Sequence, residues 1–587
     1  MATPTLKELK QLVAHLEGLR SKRLAQQWEI GKLILPSRGL FQGEETECLR
    51  DANLLNPAAQ RALGKAAAGM TQAITPASSP WFRHQFLDRA DREVTGGNEY
   101  VDVVDARIRT VLAAGGFYSA IHAFNRELLG FGCALLSCDA SARTVARFAC
   151  QTCGTYAVAL DEDRTLSCVV RRLRMTPVEM ARRFGRDRLC EATRQKLESQ
   201  PYAPIEVVQV VRKREERDPE RGDNRNMPFA SFWYEDQGGT ELLRESGFRS
   251  MPFFFSTWED ARGIYGTGPG DDALADQKGI EAWEKRKAVG IEMMIQPPLL
   301  APGTLKRHVR AMPGSVISDT AYGQSNALRP LYEVNFGPAV GAVQQEIEQI
   351  SMRLEDVMKA NIFANMSLET RPAGMTMTEY MDRRRRSAEL MGPTVSSYEP
   401  RVLTLCIERV YQLLDEEGLL PPPPQGLSPW ATLNVSYQSP MAQMLEQAAA
   451  VSIGQFMDQV GPWAQSQPTI LDKLDLDQMV DELAQRLGVG LAPVRKPGKL
   501  PCEAFEASYD LEYGSNTLCL HKDALTPEDR VLIVDDILAT GGTLDAMIRL
   551  VGQSGATVAG CCMLMELDAL GGRKVLGDIP LSVLLHV

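Results

Sequence analysis

Residues 531–543, Val531-Leu-Ile-Val-Asp-Asp-Ile-Leu-Ala-Thr-Gly-Gly-Thr543, decide the fold of the C-terminal part of this chain. The apolar run at the start of this stretch predicts a buried strand. Asp535 and Asp536 then place two carboxylates at the end of that strand. A Gly-rich turn follows and opens a helix, whose first N–H groups attract anions. Carboxylates beside such a turn can hold a ribose and a phosphate together.

Strands alternate with helices around this stretch, in the predicted order β-loop-β-α-β-α-β. The strands are expected at 517–520, 531–534, 557–565 and 581–587. This alternation indicates a parallel sheet, unlike anything upstream. The character of the chain changes at Gly488-Val-Gly490. We therefore expect one domain over residues 1–487, a junction at 488–490 and a second domain over 491–587.

The upstream part predicts a mixed α and β body. Helices are expected over 5–35, 56–74, 98–130, 271–294, 338–362, 376–418 and 439–487, and short strands over 131–256. The prolines at 421–424 predict a stiff connector. This part has no Walker A sequence, no GxSxG and no paired metal ligands, which is more typical of a structural protein than of an enzyme.

Composition limits the possible classes of function. A chain of 587 residues is long enough for several domains, and 44% hydrophobic with 24% charged residues is ordinary for a soluble globular protein. No apolar run reaches the ~18 residues of a membrane span, and the first residues lack a signal core, so we expect a cytoplasmic chain without a membrane partner. A net charge of -11 argues against nucleic-acid binding over the whole surface.

The twelve cysteines have no repeated spacing. Cys150 and Cys153 form one CxxC, but a second pair at the spacing of a structural zinc site does not follow. We expect reduced thiols and no metal site.

Two segments of the upstream part have more than one interpretation. Four arginines, Arg383–Arg386, would ring their helix, and we expect a solvated or subunit-interface segment, with contact to nucleic acid as the alternative. In helix 271–294 we expect Ile291, Met294 and Ile295 to pack against neighbours. Residues 284–287 would face water or another subunit.

A series of short segments along residues 66–440 is informative through its order. The segments are Ala66-Ala-Ala-Gly-Met70, Thr75-Pro76, Trp81-Phe82, Gly116-Phe-Tyr118, Leu128-Leu-Gly-Phe-Gly132, Trp258, Tyr265-Gly-Thr-Gly-Pro269, Pro297-Pro-Leu-Leu300, Met377-Thr-Glu379, Gly418-Leu-Leu-Pro421 and Ser439-Pro440. In this order the series resembles the head-to-tail connector, or portal, proteins of short-tailed phages. The resemblance implies an α+β multidomain fold with a helical stem, a wing and a crown that include a β-rich part.

The same resemblance implies a homo-oligomeric ring, typically a dodecamer, at one capsid vertex of the virion, assembled in the host bacterial cytoplasm. Double-stranded DNA would pass through its channel during packaging and ejection. Terminase and the capsid, scaffold and tail adaptor proteins would be its partners, and no cofactor is needed. Helix 271–294 is our candidate for the helix that lines the channel.

Residues 491–587 resemble the C-terminal half of adenine phosphoribosyltransferases, which have a type I α/β fold. Besides 531–543, the resemblance rests on Arg495-Lys-Pro-Gly-Lys-Leu-Pro501, Ser508-Tyr-Asp-Leu-Glu-Tyr-Gly514, His521-Lys-Asp-Ala-Leu525, Glu566-Leu-Asp568 and Gly571-Gly-Arg573. It implies a site for phosphoribosyl pyrophosphate, with Mg²⁺ accompanying the substrate in an active enzyme.

The resemblance also implies a role for each residue of this site. Asp535 and Asp536 would bind the ribose hydroxyls. The 5′-phosphate would be bound by Ala539, Thr540, Gly541, Gly542 and Thr543. Pyrophosphate would be bound by Arg495, Lys496 and Lys499. Glu512 and Tyr513 would lie in the catalytic loop.

The N-terminal half of such an enzyme has no counterpart in residues 1–487. That half supplies the first strands, the adenine-binding hood and a second pyrophosphate loop. The strands that remain would expose an unpaired edge and an uncovered apolar face. We therefore expect a structural portal subunit with an incomplete phosphoribosyltransferase segment and no significant transferase activity.

Two alternatives remain open at this point. The chain could be an adenine phosphoribosyltransferase-like enzyme that uses its N-terminal region as a scaffold or completes its site from another chain. It could also be a defunct prophage fusion that folds in part. The Leu-Gly-Val-Gly sequence at 487–490 is shared by both resemblances, which indicates recombination or an artefact of sequence assembly.

Overall fold

The computed structural model describes residues 4–41, 54–87, 91, 94, 96–214, 223–224, 226–259, 263–296, 299–302, 316–319, 329–330, 336–367, 377–428, 432–444, 492, 494–495, 504–511, 514–522, 524–527, 529–567, 570–577 and 579–586. The chain forms two compact units, Met1–Ala442 and Gln443–Val587.

The first unit contains most of the helices. They are α1 (Leu6–Leu33), α2 (Ala58–Ile74), α3 (Gly97–Ala114), α4 (Phe117–Phe131), α5 (Pro177–Phe184), α6 (Glu191–Ser199), α7 (Pro269–Ile295), α8 (Phe336–Val357), α9 (Ala360–Ser367), α10 (Met377–Tyr398) and α11 (Leu405–Glu416). A π-helical segment, Glu399–Thr404, joins α10 to α11.

The described strands of the first unit form four sheets. They are β1 (Phe82–Phe86), β2 (Cys133–Ser141), β3 (Val145–Gln151), β4 (Tyr156–Leu160), β5 (Leu166–Met175), β6 (Ile205–Lys213), β7 (Phe229–Glu235), β8 (Arg244–Phe248), β9 (Phe253–Thr257), β10 (Leu299–Pro302), β11 (Val316–Asp319), β12 (Arg329–Pro330) and β13 (Leu433–Tyr437). The largest is antiparallel, in the order β4-β5-β6-β7-β8. The others are β3-β2-β9, β11-β10-β12 and β1-β13.

The core of the first unit lies on both faces of the five-stranded sheet. On one face, Leu9, Val13 and Leu16 of α1 are buried against Val208 and Phe232. On the other face, side chains of β2 and β9 join side chains of the sheet in one buried cluster. α1 begins at a capping box, in which the Thr5 N–H donates to the Glu8 carboxylate at 2.8 Å.

Strand β1 joins an early part of the chain to a late one. It pairs antiparallel with β13, so that Phe82 lies opposite Tyr437. Next to this pair, Trp81 is fully buried and stacks on Phe117 at 5.9 Å and on Tyr437 at 6.4 Å between ring centroids. Segments far apart in sequence therefore share one aromatic cluster, which ties the helical part of the unit together.

Residues 98–130 are helical, as the sequence predicts, but they form two helices. Two helices, α3 and α4, meet at Gly115-Gly116. Gly116 has φ +78°, a conformation that favours glycine. A Cβ at Gly115 would lie 2.5 Å from the carbonyl oxygen of Ala146, so β3 passes too close for a side chain. The helical periodicity of the sequence continues across this break. The two glycines nevertheless end one helix and start the next.

Two other long helices are divided as well. The expected helix at 338–362 is α8 followed by α9, with Lys359 at φ +61° between them. The expected helix at 376–418 is α10, the π-helical segment and α11. Pro400 lies in the π-helical segment, and it has no N–H to donate to the preceding turn, which accounts for the change of register. The region 131–256, expected to be β-rich, also contains the short helices α5 and α6.

Most of the helix expected at 439–487 lies outside the described residues, since the structure describes this segment only to Met444.

The backbone at the start of α7 lies close to the backbone at the end of α4. A Cβ at Gly270 would lie 2.0 Å from the Gly130 carbonyl oxygen, and one at Gly268 would lie 2.8 Å from the Cα atom of Gly132. The Gly132 carbonyl also accepts the Trp258 N–H at 2.9 Å. Two of the segments that carry the portal resemblance, 128–132 and 265–269, thus meet in space, and glycine is the residue that allows it.

The second unit has a hairpin and a parallel sheet. The elements are β14 (Ala504–Leu511), β15 (Gly514–His521), β16 (Arg530–Leu538), α12 (Gly542–Gln553), β17 (Thr557–Glu566) and β18 (Leu581–His586). β14 and β15 are antiparallel. The described sheet has the order β16-β17-β18, all parallel, as the sequence predicts. Where a second helix was predicted, between β17 and β18, the described residues form only the 3₁₀ turn Gly572–Val575. The segment between β17 and β18 is short, and a 3₁₀ turn is a common short connector.

Substitution of Gly270 tests the backbone contact. We expect Gly270→Ala to lower the free energy of unfolding of the first unit by about 1–3 kcal/mol, because the added methyl group meets a backbone carbonyl that cannot rotate away. Gly279→Ala on the same helix is the control, since a Cβ there meets no atom within 4 Å. It should be neutral or stabilise by up to about 1 kcal/mol. Chemical unfolding of both variants measures the difference, and equal stabilities would contradict a close contact at Gly270.

Candidate functional site

The first half of α7 is fixed to the body of the unit by polar contacts. The buried Glu281 carboxylate accepts the N–H of Leu55 at 3.2 Å and of Asn56 at 3.0 Å. Gln277 accepts the Ala59 N–H at 3.2 Å, at the first turn of α2. A carboxylate at a helix N-terminus is stabilised by the unpaired N–H groups there. α7 therefore holds the start of α2, and Arg23 of α1 pairs with Asp271 at the start of α7.

The second half of α7 is different, because the buried residues of this helix all lie between Pro269 and Glu281. α7 runs antiparallel to α8, with the Asp276–Arg353 ion pair at 3.0 Å in its first half and the Lys287–Gln344 hydrogen bond at 3.1 Å in its second half. Met294 is 47% exposed and Ile295 is 73% exposed. Ile291, Met294 and Ile295 were expected to pack in the core or at an interface. Met294 and Ile295 are not buried by the described residues, and packing at an interface between copies stays a prediction.

Most of the charged side chains on this half of α7 have partners. Glu284 pairs with Lys287 at 2.8 Å, and the Arg286 guanidinium lies 5.3 Å from the ring centre of Trp283. On α10, Arg385 pairs with Glu389 at 3.6 Å. Arg383 and Arg386 are exposed.

The two carboxylates in the second unit lie at the end of β16. Asp535 pairs in register with Met563 of β17. The Asp536 N–H donates to Asp535 Oδ1 at 3.0 Å, and the Ile537 N–H donates to Asp536 Oδ1 at 2.8 Å. No ion pair among the described residues involves either carboxylate. Both therefore accept hydrogen bonds from the local backbone, and no cation among the described residues balances their charge.

Burial is the main reason why the pKa of Asp535 is raised to about 6. The charge of Asp536 also raises the Asp535 pKa, and the hydrogen bond from the Asp536 N–H opposes the shift. Two adjacent carboxylates without a cation repel each other and any incoming phosphate. The site as it stands favours a protonated Asp535 at mildly acidic pH.

The turn after β16 has the conformation that the sequence predicts. Gly541 is buried at φ +85° and is the N-cap of α12, without a side-chain hydrogen bond to the helix. Among the described residues, the Thr540 and Thr543 hydroxyls have no hydrogen-bond partner. The first N–H groups of α12 and these two hydroxyls are thus in one short loop, as anion binding requires.

An ion pair between a buried carboxylate and an exposed arginine supports this loop, and the sequence analysis assigned it no role. The Glu566 carboxylate at the end of β17 accepts from Arg573 Nε at 2.7 Å, which holds the 3₁₀ turn against the sheet. A Cβ at Gly572 would lie 2.5 Å from the Ala539 carbonyl oxygen, so that turn touches the loop directly. The sequence feature that could have predicted this ion pair is an acidic residue at the end of an apolar strand, seven positions before an arginine.

The other predicted site residues are not brought to the loop by any described contact. The Arg495 backbone pairs with Cys519 of β15 through hydrogen bonds of 3.0 and 2.7 Å. Lys496, Lys499, Glu512 and Tyr513 lie outside the described residues. In the described ranges no group of three or more metal-ligating side chains occurs, Cys150 and Cys153 included. None of the helices in that part of the chain combines the length and apolarity of a bilayer span.

Comparison with known proteins defines the class of the larger part of the chain. The model of a family described as bacteriophage head to tail connecting protein matches residues 6–492. A probable portal protein of Bordetella phage BPP-1 is 30% identical over 492 residues, which cover 82% of this chain and 88% of that protein. The portal protein of Salmonella phage epsilon15 is 26% identical over 493 residues, again 82% and 88% of the two chains.

These matches define a phage portal subunit, a component of the virion that connects head and tail. The chain belongs to the bacteriophage head to tail connecting protein family.

The rest of the chain matches a different family. The model of the phosphoribosyl transferase domain matches residues 478–580. The adenine phosphoribosyltransferase of Streptococcus uberis is 58% identical over 104 residues, which cover 18% of this chain and 60% of that enzyme. The chain thus spans about 60% of the length of this relative. A portal domain is followed by a secondary, fused segment of phosphoribosyltransferase type.

Replacing Asp535 tests the electrostatics of the loop. An acid whose pKa is raised on folding stabilises the folded state below its unfolded pKa of ~3.9, and this contribution is lost as pH rises through about 6. We expect Asp535→Asn to slow hydrogen exchange in peptides of β16 and α12 at pH 7.5, after correction for the intrinsic exchange rate. At pH 4 it should have little effect.

Asp545→Asn is the matched control. Asp545 lies in the first turn of α12 and pairs with Arg549 at 2.9 Å. Removing that charge should speed exchange at pH 7.5. Faster exchange in Asp535→Asn at pH 7.5 would show that the Asp535 carboxylate stabilises the loop.

Proposed function

We propose that this chain forms a ring, a dodecamer, at one capsid vertex, and that double-stranded DNA passes through the central channel during packaging and ejection. Terminase docks on one face of the ring, and capsid, scaffold and tail adaptor proteins contact it during assembly in the host cytoplasm. The match to the connector family over residues 6–492 carries this proposal. The distribution of exposed apolar residues on α7 supports it.

α7 and α8 form the stem of the proposed ring, and α7 is the helix nearest the channel. Its first half is fixed by buried contacts, and its second half exposes Met294 and Ile295. An exposed apolar stripe on a fixed helix is typical of an interface between copies. The β-rich region 133–257 forms the wing, and the helical region after α10 contributes to the crown.

The charge distribution on α7 suits a channel through which DNA slides. Each phosphate that a free cation neutralises adds salt-dependent affinity, and many such contacts would hold the DNA in place. Lys287 is paired with Glu284, and Arg286 stacks on Trp283. The cations of this segment are thus partly satisfied within the chain, which leaves fewer strong phosphate contacts.

For the second domain, residues 491–587, we propose an incomplete type I phosphoribosyltransferase fold that binds phosphate weakly and does not catalyse transfer. Its contacts to phosphoribosyl pyrophosphate would come from Asp535, Asp536 and the loop 539–543, with Arg495, Lys496 and Lys499 as the pyrophosphate ligands that the resemblance implies, and Mg²⁺ would accompany the ligand. Glu512 and Tyr513 have no complete site to act on. Catalysis depends on donors aimed at charge that develops in the transition state, and half of these would come from the part that this chain lacks.

A charge in the apolar stripe tests the ring. We expect native mass spectrometry to find the wild-type chain as a closed oligomer of twelve copies and Ile295→Asp mainly as monomers, because each interface would bury an unpaired carboxylate. Glu292→Gln, at an exposed position one turn away, is the control and should assemble normally. Normal assembly of Ile295→Asp would contradict the proposal that the exposed half of α7 forms an interface between copies.

An enzyme assay tests the second domain. With adenine, phosphoribosyl pyrophosphate and Mg²⁺, we expect the full chain to form AMP no faster than a blank without protein. A complete adenine phosphoribosyltransferase is the positive control. AMP formation that is lost in Asp536→Ala would instead support the enzyme as the function of the chain.

A further inference from the structure

One row of side chains crosses strands β5 to β8 of the five-stranded sheet and begins and ends with an arginine. Arg171 of β5 pairs in register with Gln209 of β6. Gln209 pairs with Trp233 of β7, and Trp233 pairs with Arg244 of β8. Residues that pair in register have their side chains on the same face of the sheet. Arg183 of α5 lies beside this row, with its guanidinium carbon 4.4 Å from the ring centre of Trp233. We call Arg171, Arg183 and Arg244 the arginine cluster.

Arg171 is a buried cation that has no ion pair with any described residue. It is 6% exposed, and its Nε donates to the Gln209 side-chain oxygen at 2.5 Å. Its guanidinium carbon lies 5.8 Å from the ring centre of Trp233. An amide and an aromatic ring do not balance a full charge, and a buried charge without a counter-ion is costly. Arg183 and Arg244 are exposed, and neither forms an ion pair within the described ranges.

The arginines of the cluster also repel one another. Burial lowers the pKa of Arg171, the charge of Arg183 lowers it further, and the Asp139 carboxylate opposes the shift. Burial and the charge of Arg244 lower the pKa of Arg183, which Asp139 again opposes. One carboxylate thus serves more than one cation. An additional anion at the arginine cluster would stabilise the charged guanidinium groups.

The turn between β4 and β5 carries the opposite charge. Its residues Asp161, Glu162 and Asp163 are consecutive and exposed, and we call them the acidic turn. Asp161 lies 3.9 Å from Lys213, whereas Glu162 and Asp163 have no ion pair in the part of the chain that the structure describes. About 17 Å of strand separates this turn from Arg171, and β8 lies three strands further across the sheet. The acidic turn therefore does not reach the arginine cluster of its own copy.

We propose that the acidic turn of one copy binds the arginine cluster of the neighbouring copy in the ring. This contact rests on the ring proposed above and names one of its interfaces. A head-to-tail ring needs two different surfaces that fit each other, because one patch of each copy meets a different patch of the next. This sheet provides two such surfaces of opposite charge. In the ring, the two free carboxylates of the turn contact Arg183 and Arg244, and their charge balances the buried Arg171.

The composition of the cluster favours a protein partner over nucleic acid. Tryptophan and arginine are enriched among the residues that dominate protein–protein binding, and Trp233 contacts two arginines of the cluster. Arginine also binds a carboxylate through two parallel hydrogen bonds. Duplex DNA presents a charge every ~1.7 Å along its axis. The two exposed cations of the cluster suit one or two carboxylates better than such a polyanion.

A photo-cross-linking residue at position 163 of the full chain tests the contact. Asp163 is exposed, so p-benzoylphenylalanine there should not disturb the fold. After irradiation, we expect covalent dimers and larger species on a denaturing gel, because the turn lies against a different copy. Mass spectrometry of a tryptic digest should place the link in the peptide 226–244, which contains Trp233.

Charge reversals make this test specific. Arg183→Glu should lower the yield of cross-linked dimers at least fivefold, and Glu162→Arg should do the same, because each brings like charges together. The two substitutions in one chain should restore the yield, since the charges are again opposite. Arg186→Glu is the matched control and should leave the yield unchanged, because Arg186 is an exposed arginine that pairs with Glu198 in its own copy.

Native mass spectrometry of the same samples separates this contact from the ring itself. Rings without a cross-link to peptide 226–244, or with a yield that neither charge reversal changes, would overturn the contact and leave the ring standing. The absence of both rings and cross-links would overturn both proposals. Loss of duplex DNA binding in Arg183→Glu on a filter, with the cross-link unchanged, would instead assign the cluster to nucleic acid.

Discussion

The contact between the backbones of Gly130–Gly132 and Gly268–Gly270 fixes the position from which α7 leaves the body of the first unit. A Cβ at Gly270 would lie 2.0 Å from the Gly130 carbonyl oxygen, so a side chain at this position would push the helix away. Glu281 holds the same helix 11 positions further along, at the start of α2. α7 is thus rigid over its first half, and its exposed second half is presented in a defined direction, as an assembly surface requires.

Sequence patterns predicted the elements that are amphipathic and bounded by strong end signals. α1, α2 and α7 were found within a few residues of their bounds, and the parallel order of β16, β17 and β18 followed from their alternation with α12. The break at Gly115-Gly116 was missed because periodicity continues across it, while the cause, the close passage of Ala146, is a tertiary contact. The stacking of Trp81 on both Phe117 and Tyr437 was equally beyond reach, since Tyr437 lies more than 300 positions after Trp81.

For the loop of the second unit, the residues within the loop were predictable from the sequence. The contacts that hold the loop in place were not. The two carboxylates, the left-handed Gly541 and the helix start are all encoded within residues 531–543. The Glu566–Arg573 pair and the approach of Gly572 to Ala539 depend on how the chain returns after β17. The raised pKa of Asp535 arises from burial beside Asp536. A loop of this kind is a good anion site only when cations from elsewhere balance the carboxylates, and no described residue does so here.

The account rests on the first unit as a ring-forming portal subunit that carries the second unit as an added segment. Cryo-electron microscopy of the purified full chain tests this most directly. The account predicts closed rings with twelvefold symmetry and with α7 of each copy nearest the central channel. Small dimers that bind phosphoribosyl pyrophosphate, without any ring, would contradict it.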